Sequence, residues 1–263
     1  MHSEIIYKNG DHKWVFMGRD PEKPNSIIDS NQYLVTSNGK GMLLDAGGIE
    51  IYPQVLVEVS KQILPENIEN FFISHQDPDI ASSIALWVNL VPDMKLYIPW
   101  IWASFVAHFG MGKEFKFTNI PDQGLAVKVG KKDIYFVPAH YCHSSGFFTA
   151  FDPSAKILWS GDIGAALLPS QESSIFVEDF ESHIKYMEGF HKRWMPSSFH
   201  LRKWVKRARI LKPEMICPQH GSIFRGNDVN KFLDWLDNLE VGHYDDGGEA
   251  EDINNAPWMQ WNK

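Results

Sequence analysis

Metal-ligand residues follow four separate apolar segments of this sequence, and each segment has the pattern of a β-strand. The ligand residues lie at 74–79, 138–140, 160–162 and 217–220. Together they supply three imidazoles and three carboxylates, which suit iron, manganese or zinc better than copper(I) or an iron–sulfur cluster. Such a chain must fold so that several strand ends meet, and the pattern predicts a two-metal site. The residues concerned are His75, Asp77, Asp79, His140, Asp162 and His220.

Composition indicates a globular chain. With 263 residues, 44% of them hydrophobic and 22% charged, the chain can bury a large core. We expect one domain over residues 1–241, followed by an acidic, Gly-rich C-terminal extension over 242–263. The formal net charge of −8 argues against a nucleic-acid partner, because such binding depends on Lys and Arg neutralising phosphates.

The N-terminus has neither the basic stretch nor the long apolar run of a signal peptide, and no apolar run has membrane-spanning length. We therefore predict a cytoplasmic protein without a membrane partner. The two cysteines, Cys142 and Cys217, do not form a secreted disulfide framework. Each lies within three residues of a candidate histidine, so one of them could be a ligand or a redox-sensitive thiol. Burial at a strand end is the favoured alternative.

Short apolar runs bounded by Gly, Asn, Asp or Pro predict many strands and fewer helices. Strands are expected near residues 14–17, 32–37, 41–44, 71–74, 95–98, 126–129, 134–138, 146–151, 157–160 and 215–218. Helices are expected near 52–63, 81–89, 102–109, 179–194, 199–211 and 229–239. Asn38-Gly39 predicts a hairpin between the second and third strands. This order favours an α+β fold with two packed sheets and helices outside them.

The first ligand segment alternates donors with other residues. His75, Asp77 and Asp79 are separated by Gln76 and Pro78, and the proline stiffens the turn so that the donors are partly preorganised. The alternative is that Asp79 only caps the helix that follows.

Taken in order, residues 43–47, 74–79, His140, Asp162 and 219–221 resemble the metallo-β-lactamase superfamily over about residues 10–235. Zinc hydrolases of that superfamily typically read His-x-His-x-Asp-His at the first motif, and this chain does not. Its motif is closer to the His-x-Glu-x-Asp-His of the flavodiiron proteins. Residues 140–144, 160–164 and 217–225 resemble the same family.

The resemblance implies a four-layer αββα sandwich with a centre of two iron ions between the sheets. Carried over by position, one iron would be bound by His75, Asp77 and His140. The other would be bound by Asp79 and His220, with Asp162 bridging the two ions.

Two residues depart from the family pattern. Asp77 is one methylene shorter than the usual glutamate, and Ile80 stands where the family has a histidine. Ile80 cannot bind a metal, so the second iron would either be bound more weakly or have an open position for a diatomic molecule. The sequence also lacks the flavodoxin-like domain that follows in flavodiiron proteins, so we expect no flavin in this chain.

These departures favour a protein that binds dioxygen for sensing or signalling. Two ferrous ions can reduce dioxygen to a diferric peroxide, whereas further reduction needs an outside donor. The resemblance is nearest to stand-alone oxygen-binding di-iron proteins, some of them associated with chemotaxis. The implied partners are dioxygen and a chemotaxis or redox protein, and the chain could form a homo-oligomer. Whether it is an enzyme stays open.

Several further residues could lie near the metals. His143 could face the pocket as a proton donor, although an exposed turn residue is the favoured interpretation. Met187 and His191 lie on an apolar stripe of a predicted helix, where core packing is favoured over covering the metal mouth.

Two alternative functions remain from the sequence. One is an oxygen or nitric oxide reductase that uses an external electron donor. The other is a zinc-dependent hydrolase, which is disfavoured because catalytic zinc sites often have more nitrogen ligands.

Overall fold

The computed structural model describes residues 1–18, 27–112, 116–169 and 174–242. The predicted acidic extension, residues 242–263, lies outside the described residues except for Gly242. The described residues form two β-sheets, and the sequence segments that carry candidate ligands belong to both.

The first sheet has seven strands in sequence order. They are β1 (His2–Asn9), β2 (His12–Gly18), β3 (Gln32–Ser37), β4 (Lys40–Leu44), β5 (Ile68–Phe72), β6 (Lys95–Pro99) and β7 (Phe117–Ile120). Strands β1–β4 pair antiparallel, whereas β4–β7 pair parallel. The predicted hairpin between β3 and β4 is confirmed. Asn38 and Gly39 have φ of 52° and 72°, as a tight hairpin of this kind requires.

Helices connect the parallel strands of this sheet, as parallel pairing requires. They are α1 (Tyr52–Ser60), α2 (Pro78–Ala81), α3 (Ile84–Leu90) and α4 (Ala103–Val106). Apolar residues of these helices pack with the outer face of the sheet in one buried cluster.

The second sheet has six strands in the order β13-β12-β11-β10-β9-β8. They are β8 (Leu125–Val129), β9 (Lys132–Pro138), β10 (Phe148–Asp152), β11 (Ile157–Gly161), β12 (Met215–Pro218) and β13 (Phe224–Arg225). Its outer face is covered by α5 (Phe180–Trp194), α6 (Ser198–Leu211) and α7 (Asn227–Asn238). No described helix is both long and apolar enough to span a bilayer.

The inner faces of the two sheets pack against each other through aromatic side chains. Phe72 of β5 stacks on Phe136 of β9 with a ring separation of 4.2 Å, and it meets Trp159 of β11 edge-on at 5.6 Å. Helices outside both sheets complete a four-layer αββα sandwich. The predicted fold class is therefore confirmed.

All ten predicted strands are present, but β1, β7 and β13 were not predicted. Strand β1 is at the edge of its sheet and is largely exposed, so it lacks the apolar alternation that signals a half-buried strand. Strand β7 is also an edge strand, and β13 has two residues. The helix predicted over residues 81–89 is divided in the structure, where α2 ends at Ala81 and α3 begins at Ile84.

A buried ion pair joins the two sheets away from the candidate ligands. His12 Nε2 lies 2.6 Å from Asp152 Oδ2, which also accepts a 2.8 Å hydrogen bond from Trp14 Nε1. The His12 ring donates to the Thr36 carbonyl at 3.0 Å. Burial opposes both charges, but these contacts outweigh it. They raise the pKa of His12 and lower the pKa of Asp152.

Candidate metal centre

Candidate ligands meet at one edge of the sandwich, where strands of both sheets end. His75 follows β5, Asp162 follows β11 and His220 follows β12. Because β11 and β12 are parallel neighbours, their carboxyl ends bring Asp162 and His220 to the same edge. All three side chains are at least 96% buried.

The carboxylate of Asp162 lies between two imidazoles. Its Oδ2 is 3.2 Å from His75 Nε2, and its Oδ1 is 3.3 Å from His220 Nε2. Each oxygen therefore faces a different histidine, which is the arrangement that a carboxylate needs to bridge two metal ions.

Around His75 the remaining donors come from two loops. Asp77 Oδ2 is 3.3 Å from His75 Nε2 and 3.1 Å from His143 Nε2. Donor atoms of His75, His143 and Asp162 all lie within 4.8 Å of one another. These residues can surround a single ion.

Asp79 provides the carboxylate on the other side of the cluster. Its Oδ2 is 3.4 Å from His220 Nε2. The helix cap alternative for Asp79 is not supported. It lies inside α2, whose N-cap position is Asp77, and no side-chain capping bond forms there. Asp79 and His220, with Oδ1 of Asp162, can surround a second ion.

His140, which the sequence assigns to the first metal, is not among the residues whose donor atoms lie within 4.8 Å of one another. Its Nε2 donates to the Asp122 carbonyl at 2.9 Å, and its ring packs edge-on against Phe148. Its Nδ1 is buried without a hydrogen-bond partner among the described residues, so a metal role for His140 stays a prediction. In the same loop, Tyr141 and His143 have positive φ of 62° and 93°, and the His143 ring lies 4.9 Å from that of His75.

A pair of histidine variants separates these two positions. We expect His143→Ala to weaken metal binding by more than about tenfold, because ligands matter at least as much as the groups that orient them. His140→Ala is the matched control, since it removes an imidazole of the same loop, and it should bind metal as the wild type does. Titration of metal-free protein with ferrous ion measures both. Equal weakening in the two variants would contradict the assignment of His143.

Two histidines have their tautomers fixed by hydrogen bonds. Ser74 donates its hydroxyl proton to Asp45 Oδ2 at 2.6 Å, so its oxygen accepts from His75 Nδ1 at 2.7 Å. The His220 Nδ1 donates to the Asp29 carbonyl at 2.7 Å. In each neutral ring the lone pair is then on Nε2, which faces the cluster. Histidines that bind metals are commonly oriented in this way. This orienting role of Ser74 and Asp45 was not predicted from the sequence.

The charges of the cluster favour cations. Burial lowers the pKa of His75 and His220, but Asp162 and the other carboxylates outweigh it and raise both to about 9. Burial raises the pKa of Asp162 and Asp77, but the surrounding histidines outweigh it and lower both. Metal ions would replace the histidine protons, so binding should release protons and weaken as pH falls.

At Asp79 burial has the largest effect on the pKa. Desolvation raises the pKa of this carboxyl, and the opposing effect of His220 is insufficient. Asp162 Oδ2 is buried and accepts no hydrogen bond from the described residues. Buried carboxylates without enough compensation are expected to be paired or to bind metals. The residues present therefore fit two cations, and a donor set rich in carboxylate and imidazole suits iron.

The other residues that the sequence analysis singled out lie around the cluster. Ile80 is buried on the outer side of the first sheet and supplies no donor. Cys142 and Met187 are fully buried in the outer core of the second sheet. Burial raises the pKa of Cys142, which disfavours the reactive thiolate.

His191 lies behind the turn that carries Asp162. Its Nδ1 donates to the Met187 carbonyl at 2.9 Å, and its Nε2 accepts from the Gly164 backbone N–H at 3.0 Å. Burial lowers the pKa of His191 to about 4, so the ring is neutral and can accept that bond at pH 7. His191 therefore does more than pack in the core or cover the metal mouth, because it anchors the backbone turn at Gly164.

We expect His191→Phe to reduce the free energy of unfolding by about 1–3 kcal/mol, because the buried Gly164 N–H loses its acceptor. Chemical unfolding of metal-free protein measures this effect. Lys192→Ala, one residue further along α5 and exposed, is the control and should change stability little. A stability of His191→Phe equal to that of the wild type would disprove the anchoring role.

Comparison with known proteins identifies the family of this chain. A family model described as "ODP family beta lactamase" matches residues 28–221. The solved structure described as "Peroxy diiron species of chemotaxis sensor ODP" is 37% identical to this chain, with a TM-score of 0.81. The match covers 92% of this chain and 97% of that one. The apo state of the chemotaxis sensor ODP from T. denticola is 38% identical, with a TM-score of 0.82, and the match covers 92% and 96% of the two chains.

More distant relatives share the fold. The rubredoxin-oxygen oxidoreductase of Megalodesulfovibrio gigas is 25% identical over 220 residues, which is 79% of this chain and 53% of that protein. This chain thus spans about half the length of the curated relatives it matches. A flavo di-iron protein mutant from Thermotoga maritima superposes with a TM-score of 0.76 at 18% identity, covering 90% of this chain and 60% of the other.

The family match spans most of the described sandwich and includes every residue of the donor cluster, from His75 to His220. The two ODP structures add near-complete coverage at more than a third identity. The chain therefore belongs to the ODP family of β-lactamase-like proteins.

Proposed function

We propose that this protein holds two iron ions and binds dioxygen at them as a sensor. The observation that carries the proposal is the Asp162 carboxylate, which has one imidazole at each oxygen. A further carboxylate lies beside each imidazole: Asp77 beside His75 and Asp79 beside His220. The ODP structure whose description names a peroxy diiron species supports the same chemistry.

In this proposal His75, Asp77 and His143 hold one ion, His220 and Asp79 hold the other, and Asp162 bridges them. A pair of ferrous ions supplies two electrons to dioxygen when bound. The second position has fewer protein donors because Ile80 faces the core. It therefore leaves room for a small ligand. Phe147, whose ring lies 5.3 Å from that of His75, helps to exclude water.

Aromatic stacking offers a route from the ligands to the surface, which supports a sensing role. Phe190 of α5 stacks on His143 with a ring separation of 6.0 Å, and Trp194 stacks on Phe190 at 5.2 Å. Trp194 is 50% exposed. A displacement of His143 would reach a residue that a signalling partner can touch. The chemotaxis role named for the ODP relatives makes a chemotaxis protein the partner that we propose.

A second candidate function is reduction of dioxygen with electrons from an external donor. The similarity to a rubredoxin-oxygen oxidoreductase favours it. The same ligands would serve this function, so the two candidates differ in turnover and not in metal content.

Exposure of reduced protein to dioxygen tests the proposal. Protein purified without oxygen should contain two iron ions per chain. On adding dioxygen it should develop a new absorption band while consuming about one molecule of dioxygen per chain. An oxygen electrode and an absorption spectrum measure both quantities. The His143→Ala variant is the control and should give neither.

The outcomes separate the candidates. Two iron ions without a new band would disprove dioxygen binding as proposed. Sustained consumption after adding reduced rubredoxin would favour the reductase. Two zinc ions in the purified protein would argue against both and would favour the hydrolase.

A further inference from the structure

The outward face of α6 has an unusual charge for this acidic protein. The helix contains five Lys or Arg residues and no Asp or Glu. Arg202 and Arg209 pair with Glu240 and Asp234, next to or within α7. Two further cations of the helix, Lys203 and Lys206, are exposed to solvent.

Four exposed residues form a stripe along that helix. Phe199, Lys203, Lys206 and Ile210 are spaced four, three and four residues apart, so they lie on one side of the helix. Phe199 is 67% exposed and Ile210 is 77% exposed. Within the described part of the chain, neither Lys203 nor Lys206 has an ion-pair partner. The stripe therefore offers two cations between two apolar ends, and we call it the α6 stripe.

The described chain ends beside the start of this stripe. The Val241 carbonyl accepts a hydrogen bond from the Ser198 hydroxyl. The Val241 N–H donates a hydrogen bond to the Ser198 hydroxyl oxygen at 2.8 Å. Gly242 packs so tightly on the Pro196 carbonyl that an added Cβ would lie 2.6 Å from it. Gly242, which residues 243–263 follow in the sequence, therefore lies next to the first turn of α6.

The following sequence complements the stripe in charge and in apolar character. Residues 245–252 carry five carboxylates, at 245, 246, 249, 251 and 252, and no cation. Trp258 and Trp261 come next. The stripe is about 16 Å long from Phe199 to Ile210. Ten residues of extended chain after Gly242 can reach about 33 Å, so the acidic segment can extend along the whole stripe.

We propose that residues 243–263 dock on the α6 stripe of their own chain. The carboxylates of residues 245–252 face Lys203 and Lys206, and the tryptophans that follow them cover Ile210 at the far end of the stripe. The docked segment lies beside the Tyr141–His200 contact, which has a ring separation of 4.7 Å and joins α6 to the loop that carries His143. The docking is independent of metal content, so it can fail or succeed separately from the proposed function.

Cleavage by a glutamate-specific protease tests the docking, because Glu249 and Glu251 lie in the acidic segment. At low salt, full-length Lys203→Gln/Lys206→Gln should be cut there about two- to thirtyfold faster than the wild type. This range corresponds to the loss of two exposed ion pairs. Intact-mass spectrometry follows the cuts. Phe199→Ser/Ile210→Ser should also be cut faster, because it removes the apolar ends.

Lys116→Gln/Lys131→Gln is the matched control, because both lysines are exposed and lie away from α6. It should be cut at the wild-type rate. In about 1 M salt the difference between wild type and the α6 variant should disappear, because screening removes the charge attraction. Equal rates of wild type and α6 variant at low salt would overturn the proposal. Protection that increases with protein concentration would also overturn it, in favour of docking on a second copy.

Discussion

Asp162→Ala is expected to abolish binding of the metal pair. Among the residues that the structure describes, this carboxylate is the one group that faces both His75 and His220, so its removal takes a donor from each position at once. Removal of groups that only orient a ligand commonly costs 10–100-fold in metal affinity. We expect the loss here to exceed about 100-fold. Iron analysis after reconstitution and dialysis, together with ferrous ion titration, measures it.

Asp234→Ala is the control for a general effect of removing a carboxylate, because the Asp234 side chain is exposed and pairs with Arg209, away from the donor cluster. It should retain two irons per chain. Near-ultraviolet circular dichroism of metal-free Asp162→Ala distinguishes loss of ligands from loss of fold. A folded Asp162→Ala protein that keeps both irons would show that the bridging assignment is wrong.

Asp152→Ala is expected to lower the free energy of unfolding by about 3–5 kcal/mol, the usual effect of leaving one buried partner of an ion pair alone. Asp152 is fully buried and contacts His12 and Trp14 of the other sheet. The variant leaves the buried His12 Nε2 without its carboxylate partner. Urea unfolding of metal-free protein measures the change without a contribution from bound ions.

The effect of Asp152→Ala should also depend on pH. His12 has a raised pKa, so its contribution is complete below the unfolded value of 6.5 and is lost as pH rises through the folded pKa. Asp152 has a lowered pKa, so its contribution is complete above 3.8 and is lost as pH falls through the folded pKa. The stability difference between wild type and variant should therefore be largest between about pH 4 and 6.5.

An exposed pair of the same sheet gives the comparison. Asp133 pairs with Lys128 at 2.7 Å, and both side chains are exposed. We expect Asp133→Ala to cost at most about 1 kcal/mol, because solvent screens such pairs. Similar losses for Asp133→Ala and Asp152→Ala would mean that the inter-sheet pair contributes no more than a surface contact.

Local pattern was sufficient for most of the fold. Buried strands such as β3 and β11 have continuous apolar runs that end at Gly, Asn or Ser, so their position could be predicted from sequence. The edge strand β1 could not, because most of its side chains are exposed and it is held in the sheet by pairing with β2. The pairing with the adjacent β2 leaves no apolar alternation in β1 that could have been recognised.

The sequence by itself determined that His75, Asp77, Asp79, Asp162 and His220 follow strands or begin a stiff turn. Parallel strands carry such residues to one edge whatever the details of the loops. Only the tertiary structure showed that His143 lies beside His75 and Asp77, because the backbone angles within a loop set the direction of each side chain. It also decided that the two oxygens of Asp162 face different histidines, since that depends on distances between segments that are far apart in the sequence.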